Sequence, residues 1–253
     1  MTRRTRFVAL VAGVVTLAGG ALLAQRSTNL DAQPNAPYDG RFTFVRISYH
    51  TRGGMGFGRR GGGLMWNHDY PRAEAHFGKI LSEVSLTDTY QGGGNVLALD
   101  DPELFKYPIA YIVEPGSWVM NQKEAAGLRD WLAKGGFLIV DDFAGGQWYN
   151  FEDQIRLILP DARPIKLDVS HPIFDSFFRI ASLEMTHPYY GLPSEFYGIF
   201  EDNDPSGRML VLINYNNDIA EYWEWSDEDF APIELTNEAY KLGVNYIIYA
   251  LTH

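Results

Sequence analysis

Leu128 to Gly146, LRDWLAKGGFLIVDDFAGG, constrains the fold more than any other stretch of this chain. It reads as the end of a helix, a Gly135-Gly136 stop, an unbroken apolar strand, and two adjacent carboxylates, Asp141 and Asp142, where that strand ends. A strand without polar alternation is buried on both faces, the position of a parallel strand between two layers of helix. In open α/β sheets ligands bind outside the carboxyl ends of the strands, so the two acids stand where a site would be built.

The neighbouring segments repeat this grammar. Phe42 to His50 (FTFVRISYH) has the make-up of a first strand, followed by a Gly-rich loop from Thr51 to Leu64. Asp69 and Pro71 then open a helix with Ala73, Phe77, Ile80, Leu81 and Val84 along one face. Ile109 to Glu114 (IAYIVE), bounded by Pro108 and Pro115, is a second buried strand. Asn121 and Glu124 form a capping pair for a helix that turns Leu128, Trp131 and Leu132 inward. A further helix is expected over Trp148 to Leu159, with short strands at Ile165 to Asp168 and Met209 to Tyr215. A closing helix, Asn237 to Leu251, buries Ala239, Leu242, Tyr246, Ile247 and Ala250. Strands alternating with helices argue a mostly parallel sheet covered on both faces, a three-layer α/β sandwich.

Three pieces of the chain are specific: GGFLIVDD at Gly135 to Asp142, SHPIF at Ser170 to Phe174, and GVNYIIY at Gly243 to Tyr249. They resemble the domain of unknown function 4159 family, and the resemblance covers nearly everything from Phe42 to the C-terminus. It implies an amidotransferase-like or flavodoxin-like sandwich, related to class I glutamine amidotransferases, in which the turn after the Asp141 strand would carry a catalytic Cys. This chain has no Cys. No GxSxG elbow is present and no serine follows that strand, so neither glutaminase chemistry nor triad acyl transfer is expected. The family brings no established activity; the frequent encoding of its members near MoxR-type ATPases and von Willebrand-type domains implies a role in envelope assembly.

Thr2 to Arg6 (TRRTR) and the apolar run from Phe7 to Ala24 have the layout of a secretory signal, cleaved or kept as an N-terminal anchor. Residues 1–24 are therefore set apart, 25–40 read as a polar linker, and 41–253 as a single domain. A periplasmic or other extracytoplasmic location is expected, with a possible membrane tether through the N-terminus. Losing Arg3, Arg4 and Arg6 takes the formal charge from −11 to −14. So acidic a surface repels phosphate backbones, which excludes nucleic acid as a partner.

Candidate site residues follow from the strand ends. The first strand ends in Tyr49-His50, the second in Glu114, the third in Asp141-Asp142; as neighbours they would bring His50, Glu114 and the acids to one crevice. Side chains alternate along a strand, so Asp141 and Asp142 face opposite sides and at most one of them meets a given ligand; the expected lining is His50, Glu114 and Asp141 beneath the Arg59-Arg60 loop. Carboxylates beside a histidine suit a divalent cation or acid and base roles; the plain alternative is that they organise turns. Gly56 to Gly61 (GFGRRG) matches the dinucleotide pattern GxGxxG, yet the next helix starts near Pro71, too far on to hold a pyrophosphate. Arg59 and Arg60 fit better in a mobile lid that meets an anion or, as the preferred reading, in a disordered loop whose arginines offset a very acidic surface.

His68, His76, His171 and His187 lack the spacing of a metalloprotease or zinc finger. His187, with Tyr189 and Tyr190, reaches the crevice only if its segment folds back over the sheet. Glu221 to Asp229 (EYWEWSDED) reads as an amphipathic strand with its aromatics in the core, or else as a sugar-binding surface. No motif singles out a cofactor or a metal. The expectation is an exported, non-catalytic module that binds a small-molecule or protein ligand in the cell envelope. The alternative is a carbohydrate-acting or metal-assisted hydrolase that uses carboxylates at the strand ends.

Overall fold

Apolar runs that lack polar alternation become the middle of a sheet, because only there are both faces covered. The chain is seen in a computed structural model that describes residues 32–51 and 64–253. Its contacts divide it into Met1–Pro34 and Asn35–His253, and the fold described here is that of the second unit. The arginine-flanked N-terminal run and the glycine loop with Arg59 and Arg60 lie outside the described residues.

The strands are β1 (Phe42–Ser48), β2 (His50–Thr51), β3 (Thr89–Ala98), β4 (Ile109–Val113), β5 (Trp118–Val119), β6 (Phe137–Asp141), β7 (Ile165–Lys166), β8 (Glu195–Phe200) and β9 (Met209–Tyr215). The helices are α1 (Arg72–Ser85), α2 (Gln122–Ala133), α3 (Gln147–Ile158), α4 (Ile219–Glu224) and α5 (Ile233–Thr252). One seven-stranded sheet runs in the order β3-β1-β4-β6-β9-β8-β7, while β2 and β5 form a separate antiparallel pair. The first five strands in that order are parallel, and β8 and β7 add an antiparallel edge. Helices flank this sheet in a three-layer α/β sandwich. The three apolar strands read from sequence, β1, β4 and β6, lie side by side.

One face of the sheet presents Phe44, Tyr111, Ile139 and Leu212 to α1, α4 and α5, where Phe77, Trp223 and Tyr246 are buried. Phe77 and Trp223 stack with ring centres 4.4 Å apart. Gly243 of α5 sits against both rings: a Cβ there would lie 2.5 Å from Trp223 and 2.6 Å from Phe77. Helix α2 begins with the capping box anticipated from Asn121 and Glu124, and Gly135 follows its end at φ +107°, a backbone region that favours glycine. At the open edge of the sheet, Asn35 exchanges hydrogen bonds of 2.8 and 2.7 Å with Val96 of β3, and Ala36 does likewise with the Asn95 side chain. The end of the polar linker thus covers a strand edge that would otherwise be left unpaired.

The structure departs from the sequence reading in three elements. Strand β3 carries Gly92, Gly93 and Gly94, residues that weaken a strand signal; the register with β1 breaks there, from Phe42 opposite Thr89 to Phe44 opposite Gly94, and Gly94 to Ala98 then pair regularly with Phe44 to Ser48. Strand β8 pairs with β9 in an antiparallel hairpin between segments that hold no helix. Glu221 to Glu224, expected in a strand, belongs to helix α4, which turns Tyr222 and Trp223 into the core. Among the described residues no helix is long and apolar enough to cross a membrane.

Candidate functional site

Because β1, β4, β6 and β9 are parallel, their last residues emerge on one side, and several of those residues hold unusual backbone. Glu114 after β4 has φ 50°, Asp142 after β6 has φ 55°, Asn216 after β9 has φ 53°, and Asp69 in the loop before α1 has φ 63°. A non-glycine residue in the left-handed region costs free energy, and such residues concentrate where function requires a side chain to be aimed. Here the turns after β4 and β6 place the carboxylates of Glu114 and Asp142 at the sheet rim. The Glu114 N–H donates to the Asp142 carbonyl at 3.2 Å, which ties the two turns together.

His68 completes the first group. Its Nδ1 lies 3.3 Å from Glu114 Oε1 and 3.5 Å from Asp142 Oδ2. The loop that carries it is held from beneath by Arg46 of β1, fully buried, which pairs with Glu74 of α1 and donates to the Trp66 carbonyl at 3.5 Å. On the other flank, Gln147 Nε2 donates to Glu114 Oε2 at 3.2 Å.

His187 joins from the far side. Thr186 and Pro193 bridge a short flap, and the His187 N–H donates to the Leu192 carbonyl at 3.0 Å, so the segment does fold back over the sheet. The His187 Nδ1 accepts the Tyr189 N–H at 3.2 Å, which leaves the proton of the neutral ring on Nε2. That Nε2 is buried and meets no protein partner. His187, Asp142 and Asp218 nevertheless bring one nitrogen and two carboxylate oxygens within 4.8 Å of one another. Asp218 caps α4 by accepting the Glu221 N–H at 3.0 Å, and Glu221 in turn accepts a hydrogen bond from the Tyr189 hydroxyl. Asp69, Asp218 and Glu221 form a third group within the same 4.8 Å.

Five carboxylates, Asp69, Glu114, Asp142, Asp218 and Glu221, therefore crowd one buried space. Arg46, whose charge reaches Asp69, is already paired with Glu74. Burial, reinforced by the charge of Asp142, pushes Glu114 up to about 8. The same two causes raise Asp69 and Asp218 well above the usual carboxylate range. His68 moves up because it hydrogen-bonds Asp142, and His187 moves down because it is buried.

Of the candidates read from the sequence, the structure brings Glu114, Asp142 and His187 together. His50 is elsewhere: it pairs into the β2-β5 ribbon, is exposed, and has its Nε2 3.8 Å from Glu124. Asp141 points the other way, as strand alternation requires. Its Oδ2 accepts from the Tyr111 hydroxyl at 2.5 Å and from the Ile219 N–H at 2.9 Å, so it anchors the start of α4. Burial raises it to about 6 despite the Tyr111 hydrogen bond. His68, Asp69, Asp218 and Glu221 are the members that sequence reasoning left out. The Asp218-x-x-Glu221 spacing is a helix-start signature and was a readable sign of α4; nothing in the spacing of His68 and Asp69 connects them to the strand ends.

Ligand atoms on a cation with bonds of about 2.1 Å stand roughly 3.0 to 3.5 Å apart, in octahedral or tetrahedral arrangement. The separations of His68 Nδ1 from its two carboxylates fall in that interval, so these residues fit a divalent cation. A comparison with curated proteins finds no match. From Thr43 to Leu251 the chain matches the family model described as "Domain of unknown function (DUF4159)", and the protein belongs to that family.

Proposed function

We propose that the crevice binds a divalent cation through His68, Glu114 and Asp142, and that the protein is a cation-assisted hydrolase acting outside the cytoplasm. One observation carries this reading: four buried carboxylates and the half-buried Glu114 converge, and among the described residues His68 is the basic side chain that meets them, against only Glu114 and Asp142. Buried anions left unpaired are costly, and a bound cation removes that cost. Imidazole with carboxylates is a donor set that suits Mn²⁺ or Zn²⁺.

The cation would lower the pKa of a bound water and so supply hydroxide at neutral pH. The chain's own contribution is a hydrogen-bond donor: the His187 Nε2–H, held by the Tyr189 N–H on its other nitrogen, has no acceptor among the described residues, on a ring that lies beside Asp142 and Asp218. It is suited to an oxygen that gains negative charge as the scissile bond breaks. Water adds to the electrophilic centre, and its proton leaves with the departing group. Exposed Tyr189 and Tyr190 flank the mouth and offer ring faces to a polyhydroxylated substrate.

A non-catalytic envelope module uses the same cation and the same tyrosines, and turnover separates the two readings. Hydrolysis of acetylated sugars, peptidoglycan fragments and p-nitrophenyl esters should appear with Mn²⁺ or Zn²⁺, vanish with a chelator, and fall at least a hundredfold in His187→Ala. Cation binding without turnover of any of these substrates would favour the assembly module. The location is supported by the arginine-flanked apolar N-terminal run. Cell fractionation checks it, and recovery of the full-length chain in the soluble cytosol would overturn it.

A further inference from the structure

The cation reading above accounts for three of the seven polar side chains that converge, and the remaining four carry a deeper one that rests upon it. Asp69, Asp218 and Glu221 each place a carboxylate oxygen within 4.8 Å of the other two. Asp218 belongs as well to the group with Asp142 and His187, so the two carboxylate sets are contiguous. Two independent observations point to a ligand between them. The Asp69 Oδ2 is buried with no hydrogen-bond partner among the described residues, on a residue 8 % exposed. The His187 Nε2, on a residue 2 % exposed, is likewise unpartnered among them, and the His187 ring places a nitrogen within 4.8 Å of Asp142 and Asp218 oxygens.

Charge leads to the same place. One divalent cation at His68, Glu114 and Asp142 offsets two of the five charges that these carboxylates carry when ionised, and among the described residues no basic side chain pairs with Asp69, Asp218 or Glu221 on the other side of the crevice. Arg46 is not available to it, being engaged by Glu74 and the Trp66 carbonyl. A hydrogen bond from the Tyr189 hydroxyl satisfies one Glu221 oxygen, and the Glu221 N–H satisfies one Asp218 oxygen; neither brings a positive charge.

We propose that Asp69, Asp218 and Glu221 hold a second divalent cation beside the first, giving a two-ion centre with Asp142 and Asp218 at its middle and the His187 Nε2–H facing the ligand that spans the ions. In two-ion sites the metals sit about 3.5 to 4 Å apart and clamp the attacking and leaving oxygens of one displacement. Ions bridged in this way favour a substrate whose scissile centre offers two oxygens, such as an ester or a carboxamide with a neighbouring oxygen.

The test is metal stoichiometry in the purified full-length chain, loaded with Mn²⁺, freed of excess, and measured by elemental analysis together with electron paramagnetic resonance. Two Mn²⁺ per chain with an exchange-coupled spectrum are expected. Asp69→Asn and Glu221→Gln should each reduce this to one, with the hyperfine pattern of an isolated ion. Glu221→Gln keeps the Tyr189 hydrogen bond and guards against a folding defect in Asp69→Asn; circular dichroism verifies both. One Mn²⁺ in the wild type, unchanged in these variants and lost in Glu114→Gln, would overturn the second ion and leave the first standing. No bound Mn²⁺ at all would overturn both.

Discussion

Asp141 and Asp142 are adjacent in sequence, yet their carboxylates serve different spaces: one Asp141 oxygen is 2.9 Å from the Ile219 N–H beneath α4, while an Asp142 oxygen is 3.5 Å from the His68 ring in the crevice. The strand ends between them, and the left-handed backbone of Asp142 completes the separation. Their substitution should therefore separate stability from binding.

Asp141→Asn weakens a buried acceptor that meets a tyrosine hydroxyl and two α4 amides, since a neutral carbonyl oxygen replaces the carboxylate and a buried NH2 takes the place of its other oxygen. It should cost about 1 to 3 kcal/mol of stability and leave cation binding near the wild-type level. Asp142→Asn should abolish binding while the melting temperature without metal holds or rises, because a like charge leaves the neighbourhood of Glu114. Thermal unfolding and isothermal titration calorimetry with Mn²⁺ measure both. The reverse pattern would return the ligand role to Asp141.

The pH dependence has a definite sign. Glu114 is raised from 4.5 to about 8, so the folded chain binds a proton that the unfolded chain has released between those values. Its contribution is fully present below about pH 4.5 and is lost as pH rises through about 8. The metal-free melting temperature should fall across that window, and Glu114→Gln should make the curve shallower. Cation binding should release protons, seen as a titration enthalpy that varies with the ionisation enthalpy of the buffer.

Gly243 leaves no room for a side chain between Trp223 and Phe77. Gly243→Ala should cost about 1 to 3 kcal/mol, through displaced rings, even though alanine is the better helix former. Chemical denaturation measures it. Trp223 is next in the chain to Tyr222 and close to Glu221, so the variant should also weaken Mn²⁺ binding.

Much of the frame was legible before the structure. The runs 42–50, 109–114 and 137–142 carry the apolar, β-branched signal of central strands, and they do lie together as β1, β4 and β6. Glu114 was legible for the same reason, since it directly follows a parallel strand; the choice of Asp141 for the crevice failed, because Asp141 is still in β6 and turns beneath α4, while Asp142 leaves the strand in left-handed backbone and reaches His68. His50 misled because the chain beyond Ser48 leaves the sheet and pairs with Trp118–Val119, a turn of direction that no local pattern announces. His68, Asp69, Asp218 and Glu221 sit on loops and a short helix, brought in by tertiary contacts such as Arg46 with Glu74 and Phe77 with Trp223. The His187 flap was stated only as a condition, because a proline-rich turn gives no sign of what it covers.

Anomalous diffraction from a crystal soaked in Mn²⁺ tests the central claim most directly. The account expects a strong anomalous peak among His68 Nδ1, Glu114 Oε1 and Asp142 Oδ2, about 2.1 to 2.3 Å from each, with the metal displacing a proton from His68. A fully soaked crystal with no peak in the crevice, and with His68 still lying directly against Glu114 and Asp142, would contradict it.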